Sequence, residues 1–305
     1  MWNTNLPHFT MKRTTLFITS LVLIVGCSEP IDETTLVEKD GLMYLPESDS
    51  PYNGEVFTNY STGEKEYQGT YENGLLVEYS FLNKDGSVKE PVNFEKLLHR
   101  SGLLYEVNEQ KPYNGDVFEL YDDGSKESSC SLRGGKPHGL FTLWYRNGQK
   151  YQEGTFKDGK EDGLWTDWYR NGQKEQEETY KDGERDGLSI GWYENGQKEL
   201  EGTYKDGKGD GLYTEWYENG QKRIEGTDKD GKEDGLWTEW YRNGQKRKEG
   251  TDKDGERDGL YTEWYENGQK GSEGTYKDGE LISSQCWDED GNECECGENP
   301  WDGCK

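Results

Sequence analysis

Four cysteines near the C-terminal end of the chain have the side-chain type and spacing that most clearly predict chemistry. They are Cys286, Cys294, Cys296 and Cys304. Asp290-Gly291 predicts a short hairpin, which would bring Cys286 near Cys296 and leave Cys294 to pair with Cys304. Four cysteines allow three disulfide connectivities, so this pairing is a preference among them. Four thiolates would alternatively suit zinc, although the paired two-residue spacing of a zinc ribbon is missing.

Cys27 follows a segment with the composition of an export signal. Met11 is the better translation start, because MKRTT is positively charged and residues 16–25 are apolar but too short to span a membrane. Ile24-Val25-Gly26-Cys27 resembles a bacterial lipobox, which implies removal of residues 1–26 and lipid modification of the Cys27 thiol. The alternative is an ordinary signal peptide with an incidental cysteine. No aspartate follows Cys27, so the resemblance points to a lipid-anchored protein of the cell envelope, at the outer membrane or cell surface, where disulfides persist.

Two acidic turns carry carboxylates at a spacing that resembles part of a calcium loop. Both follow the pattern D-x-D-G-x-x-D, and together they contain Asp228, Asp230, Asp234, Asp252, Asp254 and Asp258. Calcium prefers six to eight oxygen ligands at one site, whereas each turn offers three carboxylates and lacks a closing bidentate glutamate. Solvated turn residues are the simpler interpretation, and weak calcium binding by stacked turns is the alternative.

No set of residues predicts a catalytic site. The three histidines are His8, His99 and His138, and none belongs to a recognisable Ser/His/Asp or Cys/His arrangement. Carboxylates are abundant but recur with the repeat described next, whereas a catalytic pair should be unique. We therefore expect a protein that is not an enzyme and needs no cofactor.

The elements that must position these side chains recur with a fixed period. Copies open without insertion at Gly115, Gly139, Gly163, Gly187, Gly211, Gly235 and Gly259. A constant period of this length is typical of repeat architectures. In the copy Gly235–Asp258, residues 236–241 are rich in aromatic and β-favouring types, and Asn243-Gly244 predicts a two-residue type I′ loop. A return strand then ends at a second turn, Asp254-Gly255. The sequence thus predicts an all-β fold, an elongated antiparallel β-meander of tandem 24-residue hairpins in a single twisted sheet.

The predicted loop fixes a predicted register. It gives the pairs Arg242–Gln245, Trp240–Arg247, Trp237–Gly250, Phe141–Gly154, Tyr213–Gly226 and Tyr261–Gly274. An aromatic ring over a cross-strand glycine protects the backbone and pins the register. Trp165 would face Glu178 instead, so we expect a looser hairpin there. If both loops held two residues, the outgoing strand would be two residues longer than the return strand, and the register would drift by two residues per repeat.

Two aromatic columns form the candidate binding surface. They comprise Trp144, Trp168, Trp192, Trp216, Trp240 and Trp264, and Tyr145, Tyr169, Tyr193, Tyr217, Tyr241 and Tyr265. Equivalent rings should stand roughly 10 Å apart, two strand spacings, which is comparable to a disaccharide. The alternative is that the rings pack against neighbouring strands and hold the sheet together.

The remainder of the chain divides by composition. Residues 27–38 read as a polar tether, 39–112 as degenerate repeats that cap the array, 113–282 as the tandem repeats and 283–305 as the cysteine-rich tail. The capping region contains its own duplication, since the segments Gly41–Phe57 and Gly102–Phe118 are similar in sequence.

The motif GLWTEWYxNGQK…EGTYKDGKxDG resembles the MORN-type repeat, in the bacterial variant found in lipoproteins and in proteins named YwqK-type antitoxins. The resemblance is confined to the repeated part of the chain. It implies an elongated single-sheet β-meander, and it implies little about activity because a fold does not determine function.

The charge and composition narrow the partners. The net charge is −27 and hydrophobic residues make up 29%, which alone would favour disorder, but aromatic residues on a strict period favour a folded array. A strongly acidic chain is a poor candidate for binding nucleic acid or anionic membrane surfaces.

Three hypotheses for the function follow. The protein is an envelope-anchored scaffold for an unknown protein partner, an immunity or antitoxin protein whose acidity suits a basic toxin, or a carbohydrate-binding surface protein.

Overall fold

The computed structural model describes residues 29–39, 42–297 and 304–305, and the predicted signal segment with Cys27 lies outside them. Strands and two short 3-10 helices make up the regular structure of the described residues, so the predicted all-β fold is confirmed. No helix in this part of the chain is long and apolar enough to cross a membrane. The chain divides into two compact units, one up to Ser80 and one from Phe81.

The first unit contains a four-stranded sheet and a separate two-stranded sheet. Its strands are β1 (Ile31–Asp32), β2 (Val37–Lys39), β3 (Leu42–Tyr44), β4 (Gly54–Asn59), β5 (Lys65–Glu72) and β6 (Leu75–Phe81). The order is β1-β4-β5-β6, with β1 parallel to β4, and β2 pairs with β3. A 3-10 helix, Glu33–Thr35, follows β1 and is capped by the side chain of Asp32. Most of the segment predicted as a polar tether, residues 27–38, is therefore part of this unit, where its strands pair with β4 and β3 and Leu36 is buried. Buried Val56 and Tyr67 lie in the small core of this unit.

The second unit begins with a copy of the same arrangement. Its strands are β7 (Val92–Asn93), β8 (Leu98–Arg100), β9 (Leu103–Tyr105), β10 (Gly115–Leu120) and β11 (Lys126–Arg133), with a 3-10 helix at Phe94–Lys96. Every element has a counterpart in the first unit, in the same order, and β7 is parallel to β10 as β1 is to β4. The duplication seen in the sequence is therefore a duplication of structure. Leu97, Leu104, Tyr113, Val117 and Leu132 form its buried core.

The tandem repeats continue this sheet hairpin by hairpin. The strands are β12 (Lys136–Trp144), β13 (Lys150–Lys157), β14 (Lys160–Glu161), β15 (Gly163–Trp168), β16 (Lys174–Lys181), β17 (Glu184–Trp192), β18 (Lys198–Lys205), β19 (Lys208–Trp216), β20 (Lys222–Lys229), β21 (Lys232–Glu233), β22 (Gly235–Trp240), β23 (Lys246–Lys253), β24 (Glu256–Arg257), β25 (Gly259–Trp264), β26 (Lys270–Lys277), β27 (Glu280–Trp287) and β28 (Glu293–Cys294). Outgoing and return strands pair antiparallel. The short strands β14, β21 and β24 begin outgoing strands that continue as β15, β22 and β25, and both segments pair with the same return strand. The sheet is open, with β7 beside β10 at one edge and β28 beside β27 at the other.

The predicted register is confirmed in the body of each hairpin and wrong beside the loop. Trp237 faces Gly250 as expected, but Trp240 faces Lys246 rather than Arg247. Arg242 and Gln245 are not a pair, because Gly244 N–H donates to the carbonyl of Tyr241 and closes a wider loop. Gly244 has φ +86° while Asn243 has negative φ, so the loop is a type I turn followed by a left-handed glycine. Arg247 is left as a bulge residue.

The type I′ turn occurs at the other loop. Asp254 and Gly255 have φ +53° and +85°, and Lys253 pairs with Glu256 across them. An aspartate in this conformation is tolerated because its short side chain makes the left-handed region less unfavourable. The predicted turn type is therefore present, but at the Asp-Gly loop rather than at the Asn-Gly loop.

The expected drift in register is absent. Glu249 faces Thr238 on one side and Thr262 on the other, and these two threonines occupy equivalent positions in successive repeats. Asp258 and Gly259 form an irregularity between β24 and β25 that takes up the two surplus residues of the outgoing strand. Equivalent residues of successive repeats consequently lie in straight rows across the strands.

Candidate functional site

The straight rows give the array two chemically different faces. In a strand, alternate side chains point to opposite sides, so Leu236, Thr238 and Trp240 share one face with their equivalents. We call this the leucine face. Trp237 and Glu239 lie on the other, which we call the pocket face because the cavities of the array open there.

The two aromatic columns of the candidate binding surface hold neighbouring hairpins together. Each tyrosine hydroxyl donates to the backbone carbonyl of the tryptophan one repeat later, at 2.6–3.0 Å, in the pairs Tyr121–Trp144, Tyr145–Trp168, Tyr169–Trp192, Tyr193–Trp216, Tyr217–Trp240, Tyr241–Trp264 and Tyr265–Trp287. All of these rings are half-buried. The hydroxyl groups are therefore engaged in structure.

A lysine ammonium group also lies over each of these tryptophan rings. The ammonium groups lie 4.4–5.8 Å from the ring centroids in the pairs Lys126–Trp144, Lys150–Trp168, Lys174–Trp192, Lys198–Trp216, Lys222–Trp240, Lys246–Trp264 and Lys270–Trp287. This is the geometry of a cation–π contact. Trp287 extends the row beyond Trp264, where the sequence analysis ended it. Trp287 follows Trp264 at one residue less than the regular period, which hid it from a strict search for that period.

A row of exposed leucines lies on the leucine face. Leu140, Leu164, Leu188, Leu212, Leu236 and Leu260 are each between 45% and 56% exposed. A threonine of the return strand separates neighbours in the row, as Thr251 pairs with Leu236. These leucines were not predicted as part of the binding surface, although their period is visible in the sequence. The signal that could have found them is an apolar residue recurring in a strand with no second apolar layer to cover it.

The pocket face contains a cavity of about 240 Å³ between the second and third hairpins of the array. Its aromatic lining residues are Phe141, Phe156, Trp165 and Tyr180, and its polar lining residues are Gln152, Glu161, Asp167, Gln176 and Glu178. The ring of Phe156 stands nearly perpendicular to two of the others, at 5.0 Å and 81° from Trp165 and at 5.4 Å and 75° from Phe141, whereas Phe141 and Trp165 are tilted by 36°. Burial raises the pKa of Asp167, and a hydrogen bond from Gln152 offsets part of that effect.

Glu178 lines this cavity, and both Glu178 and the residue that faces it differ from the residues usual at their positions in the repeat. It stands where most other copies have glycine, and it faces Ser189, which stands where most other copies have an aromatic ring. The small residue leaves room for the large one. Glu178 is buried, receives a hydrogen bond from Tyr180 Oη at 2.6 Å and pairs with Arg185 Nε at 2.7 Å. The hairpin that was predicted to be looser therefore has an ion pair between Glu178 and Arg185 where the regular copies have a ring over a glycine.

At the regular positions the ring over each glycine comes from the following hairpin. A Cβ on Gly250 would lie 2.3 Å from the ring of Tyr261, and one on Gly226 would lie 2.2 Å from that of Trp237. The expectation that Trp237 covers its own partner Gly250 is therefore wrong, although the two residues do pair. An outgoing strand lies between two return strands, and its ring leans onto the preceding one.

A second cavity, of about 120 Å³, occupies the equivalent place three repeats later. Glu233, Trp237, Glu239 and Lys248 correspond to Glu161, Trp165, Asp167 and Gln176 of the first. Here the chain supplies its own cations. Glu239 pairs with Arg247 at 3.1 Å, and the Arg257 guanidinium lies 5.0 Å from the centroid of Tyr261.

The six aspartates with calcium-like spacing are not gathered around one point. Asp252 is buried on the pocket face, Asp254 is the turn residue, and Asp258 pairs with Lys277 at 2.7 Å. Asp228, Asp230 and Asp234 occupy the corresponding positions one repeat earlier. Among residues 29–39, 42–297 and 304–305, no group of three or more His, Cys, Asp or Glu side chains is arranged to hold a metal ion.

The tail cysteines lie at disulfide distance in the pairing that the sequence favoured. Cys286 joins Cys296 and Cys294 joins Cys304, with Cα–Cα distances of 5.3 and 5.7 Å. Asp288 and Asn292 close the intervening turn. Cys130 is a free thiol in the glycine column, and burial raises its pKa to about 12.

Comparison with known families identifies the array. Six segments match the MORN repeat variant, at residues 137–158, 161–182, 185–206, 209–227, 233–251 and 257–278. The chain therefore contains MORN-type repeats between residues 137 and 278. No curated protein compared with the chain matches it.

Proposed function

We propose that this protein is a non-enzymatic lipoprotein of the cell envelope whose repeat sheet is a scaffold for a protein partner. The observation that carries the proposal is the row of six half-exposed leucines on the leucine face. Scattered exposed apolar residues are ordinary, but a continuous row on one face is typical of an interaction surface. Five repeat spacings of two strands each give the row a length of roughly 50 Å, which suits an elongated partner.

The proposed attachment rests on the lipobox-like sequence that ends at Cys27. A lipid on Cys27 would place the chain at a membrane, with the first unit close to the attachment point because β1 begins at Ile31. The net charge of −27 would hold the remainder of the chain away from an anionic surface.

Crosslinking in intact cells followed by mass spectrometry tests the scaffold and its location together. We expect one protein to be captured by the native chain and lost when Leu188, Leu212 and Leu236 are all replaced by serine. Val88→Ser is the matched control, because Val88 is exposed at 60% but lies outside the row. Equal capture by the triple variant and the native chain would contradict the proposal.

Two other interpretations are separated by the same experiment. A captured toxin whose toxicity the native chain relieves would identify an immunity protein, for which the acidity of the chain suits a basic partner. A glycan bound through the tryptophan row would instead survive the leucine substitutions and be lost on Trp216→Ala. Lysine ammonium groups already lie over those tryptophan rings, so less of each ring surface is available for stacking against a sugar.

A further inference from the structure

We propose that the larger cavity of the pocket face binds an organic cation, an alkylammonium or guanidinium group, between the rings of Phe141, Phe156, Trp165 and Tyr180 and the carboxylate of Asp167. At about 240 Å³ the cavity is smaller than those that take drug-sized ligands, and it suits one amine or one basic side chain. Ring faces attract cations that keep some apolar surface, which distinguishes this site from one for a hydrated metal ion.

The repeats provide an internal comparison that points to the missing cation. In two later hairpins the residue equivalent to Asp167 is a glutamate paired with an arginine of the return strand, Glu215 with Arg223 and Glu239 with Arg247. In the Asp167 hairpin the arginine position is occupied by Glu175. Within the described residues no lysine or arginine forms an ion pair with Asp167.

The surrounding charges reinforce this asymmetry. Arg185 reaches this region through its ion pair with the buried Glu178, so its charge is already engaged. Glu161 and Asp167 line the same cavity, and the site carries an excess of negative charge. Burying a carboxylate without a counter-charge is unfavourable, and an incoming cation would remove that penalty.

The local fold is also prepared for a ligand. Trp165 is 7% exposed, and its indole N–H donates to the carbonyl of Thr155 at 3.2 Å. The tyrosine wall is fixed by the bond from Tyr180 to Glu178. Fixed walls reduce the entropy lost on binding.

The proposal rests on the proposed function in one respect, the source of the cation. The cation could be a lysine or arginine side chain of the protein partner or a free amine, since both present the same charged group to the cavity. Saturation-transfer NMR with n-butylammonium and with N-acetyl-lysine methylamide distinguishes them. Tighter binding of the peptide-like probe indicates a protein side chain, and binding of the free amine alone indicates a small metabolite. N-acetyl-norleucine methylamide is the neutral control and should not bind.

Two variants test the site. Glu175→Arg installs the arginine of the later repeats, and we expect it to weaken butylammonium binding at least tenfold while leaving the melting temperature unchanged or higher. Asp167→Asn should weaken binding to a similar extent. Glu127→Arg makes the same charge change two repeats upstream, about 19 Å away, and should change affinity less than twofold at 150 mM salt.

Absence of binding by both cationic probes, or native affinity in a folded Glu175→Arg variant, would overturn the proposal. Neither outcome bears on the leucine row. Conversely, loss of the scaffold partner does not affect binding of the free probes, so failures of the two proposals are distinguishable.

Discussion

Individual residues in this array are interpretable because the chain repeats the same environment with different occupants. Glu178 and Ser189 exchange large and small side chains relative to Gly250 and Tyr261. Arg185 and Arg257 are equivalent, and each lies close to a tyrosine ring, at 5.3 Å for Tyr204 and 5.1 Å for Tyr276. A departure from the repeat can therefore be compared with the equivalent residue of another copy in the same molecule.

A double-mutant cycle on Glu178 and Ser189 should show strong coupling. Glu178→Gly alone removes the partner of Arg185 and opens a void, and we expect it to lower the free energy of unfolding by about 2 kcal/mol, less than the loss for a fully buried pair because Arg185 is partly exposed. Adding Ser189→Tyr recreates the arrangement at Gly250 and Tyr261 and should recover most of the loss. Urea denaturation measures both. Additive effects of the two changes would contradict the proposed exchange of volume.

Cys130 should be unreactive in the folded protein. Its thiolate is suppressed because burial raises its pKa to about 12, and thiolate is the reactive form. In a chain that starts at Glu29, we expect no maleimide labelling at pH 7.5 when folded, one label per chain after denaturation without reductant, and five after reduction, since residues 29–305 contain five cysteines. Labelling of tail cysteines before reduction would exclude the two disulfides.

At the scale of the hairpin, the sequence predicted the strands well and the loops less well. Aromatic residues, glycines and a strict period determine where strands lie and which residues pair, and that register was confirmed at Trp237 and Gly250. The loops were harder to predict, because each repeat has two turns that contain glycine and only one of them has φ > 0 at both central residues. Asn-Gly was predicted to be that turn, but Asp-Gly is, and the Asn-Gly loop is accompanied by a bulge at Arg247. The rings reach the neighbouring hairpin, so their location requires tertiary structure.

Removing one whole hairpin should be tolerated because equivalent residues align in straight rows. Deleting Gly211–Asp234 joins Asp210 to Gly235 and allows Tyr193 to donate to Trp240 as it does to Trp216. We expect a folded chain with a cooperative melt. Deleting Thr214 alone, which is 4% exposed, would move every following side chain of that strand to the opposite face. A shorter array that fails to fold while the Thr214 deletion folds would contradict the straight-row register.

At the scale of the whole molecule, charge was predictable and the cavities were not. The net charge of −27 follows from counting, but the missing cation beside Asp167 becomes visible only when hairpins are superposed by register. The period of the exposed leucines is visible in the sequence. Their exposure is not, because it depends on whether a second layer of the fold covers that face. The cap was recognised by its duplication, whereas the parallel strands that define it are too short, at two residues each, to leave a pattern.

Stability should increase as the pH is lowered from neutrality. Burial raises the pKa of Asp116, Asp167, Glu175, Asp228, Glu233 and Glu263 in the folded chain. A raised carboxyl pKa means that the folded state binds protons more tightly, so its stability rises as pH falls through the folded value and levels off near the unfolded value of about 4. We expect a higher melting temperature at pH 5 than at pH 7.

Measurements at high salt separate the effect of the raised carboxyl pKa values from the effect of repulsion between the many negative charges of the chain. In 1 M NaCl long-range repulsion is screened, and the remaining rise should shrink in Glu263→Gln. Below about pH 4 the trend should reverse, because hydrogen bonds hold the pKa of Asp123 and Asp288 below the usual range. A melting temperature that falls steadily from pH 7 to pH 5 would contradict the prediction.

The open order of the sheet has a mechanical consequence. The chain enters the repeats at one edge and leaves them at the other, so a pull on the two ends acts across the strands rather than along them. Hydrogen bonds loaded in this way open one after another, as in a zipper, and each released repeat would add about 80 Å of extended chain. Rows of tyrosine and lysine contacts would reclose in the same order when tension falls. An array loaded in this way would therefore lengthen in steps of one repeat while its remaining hairpins stay folded.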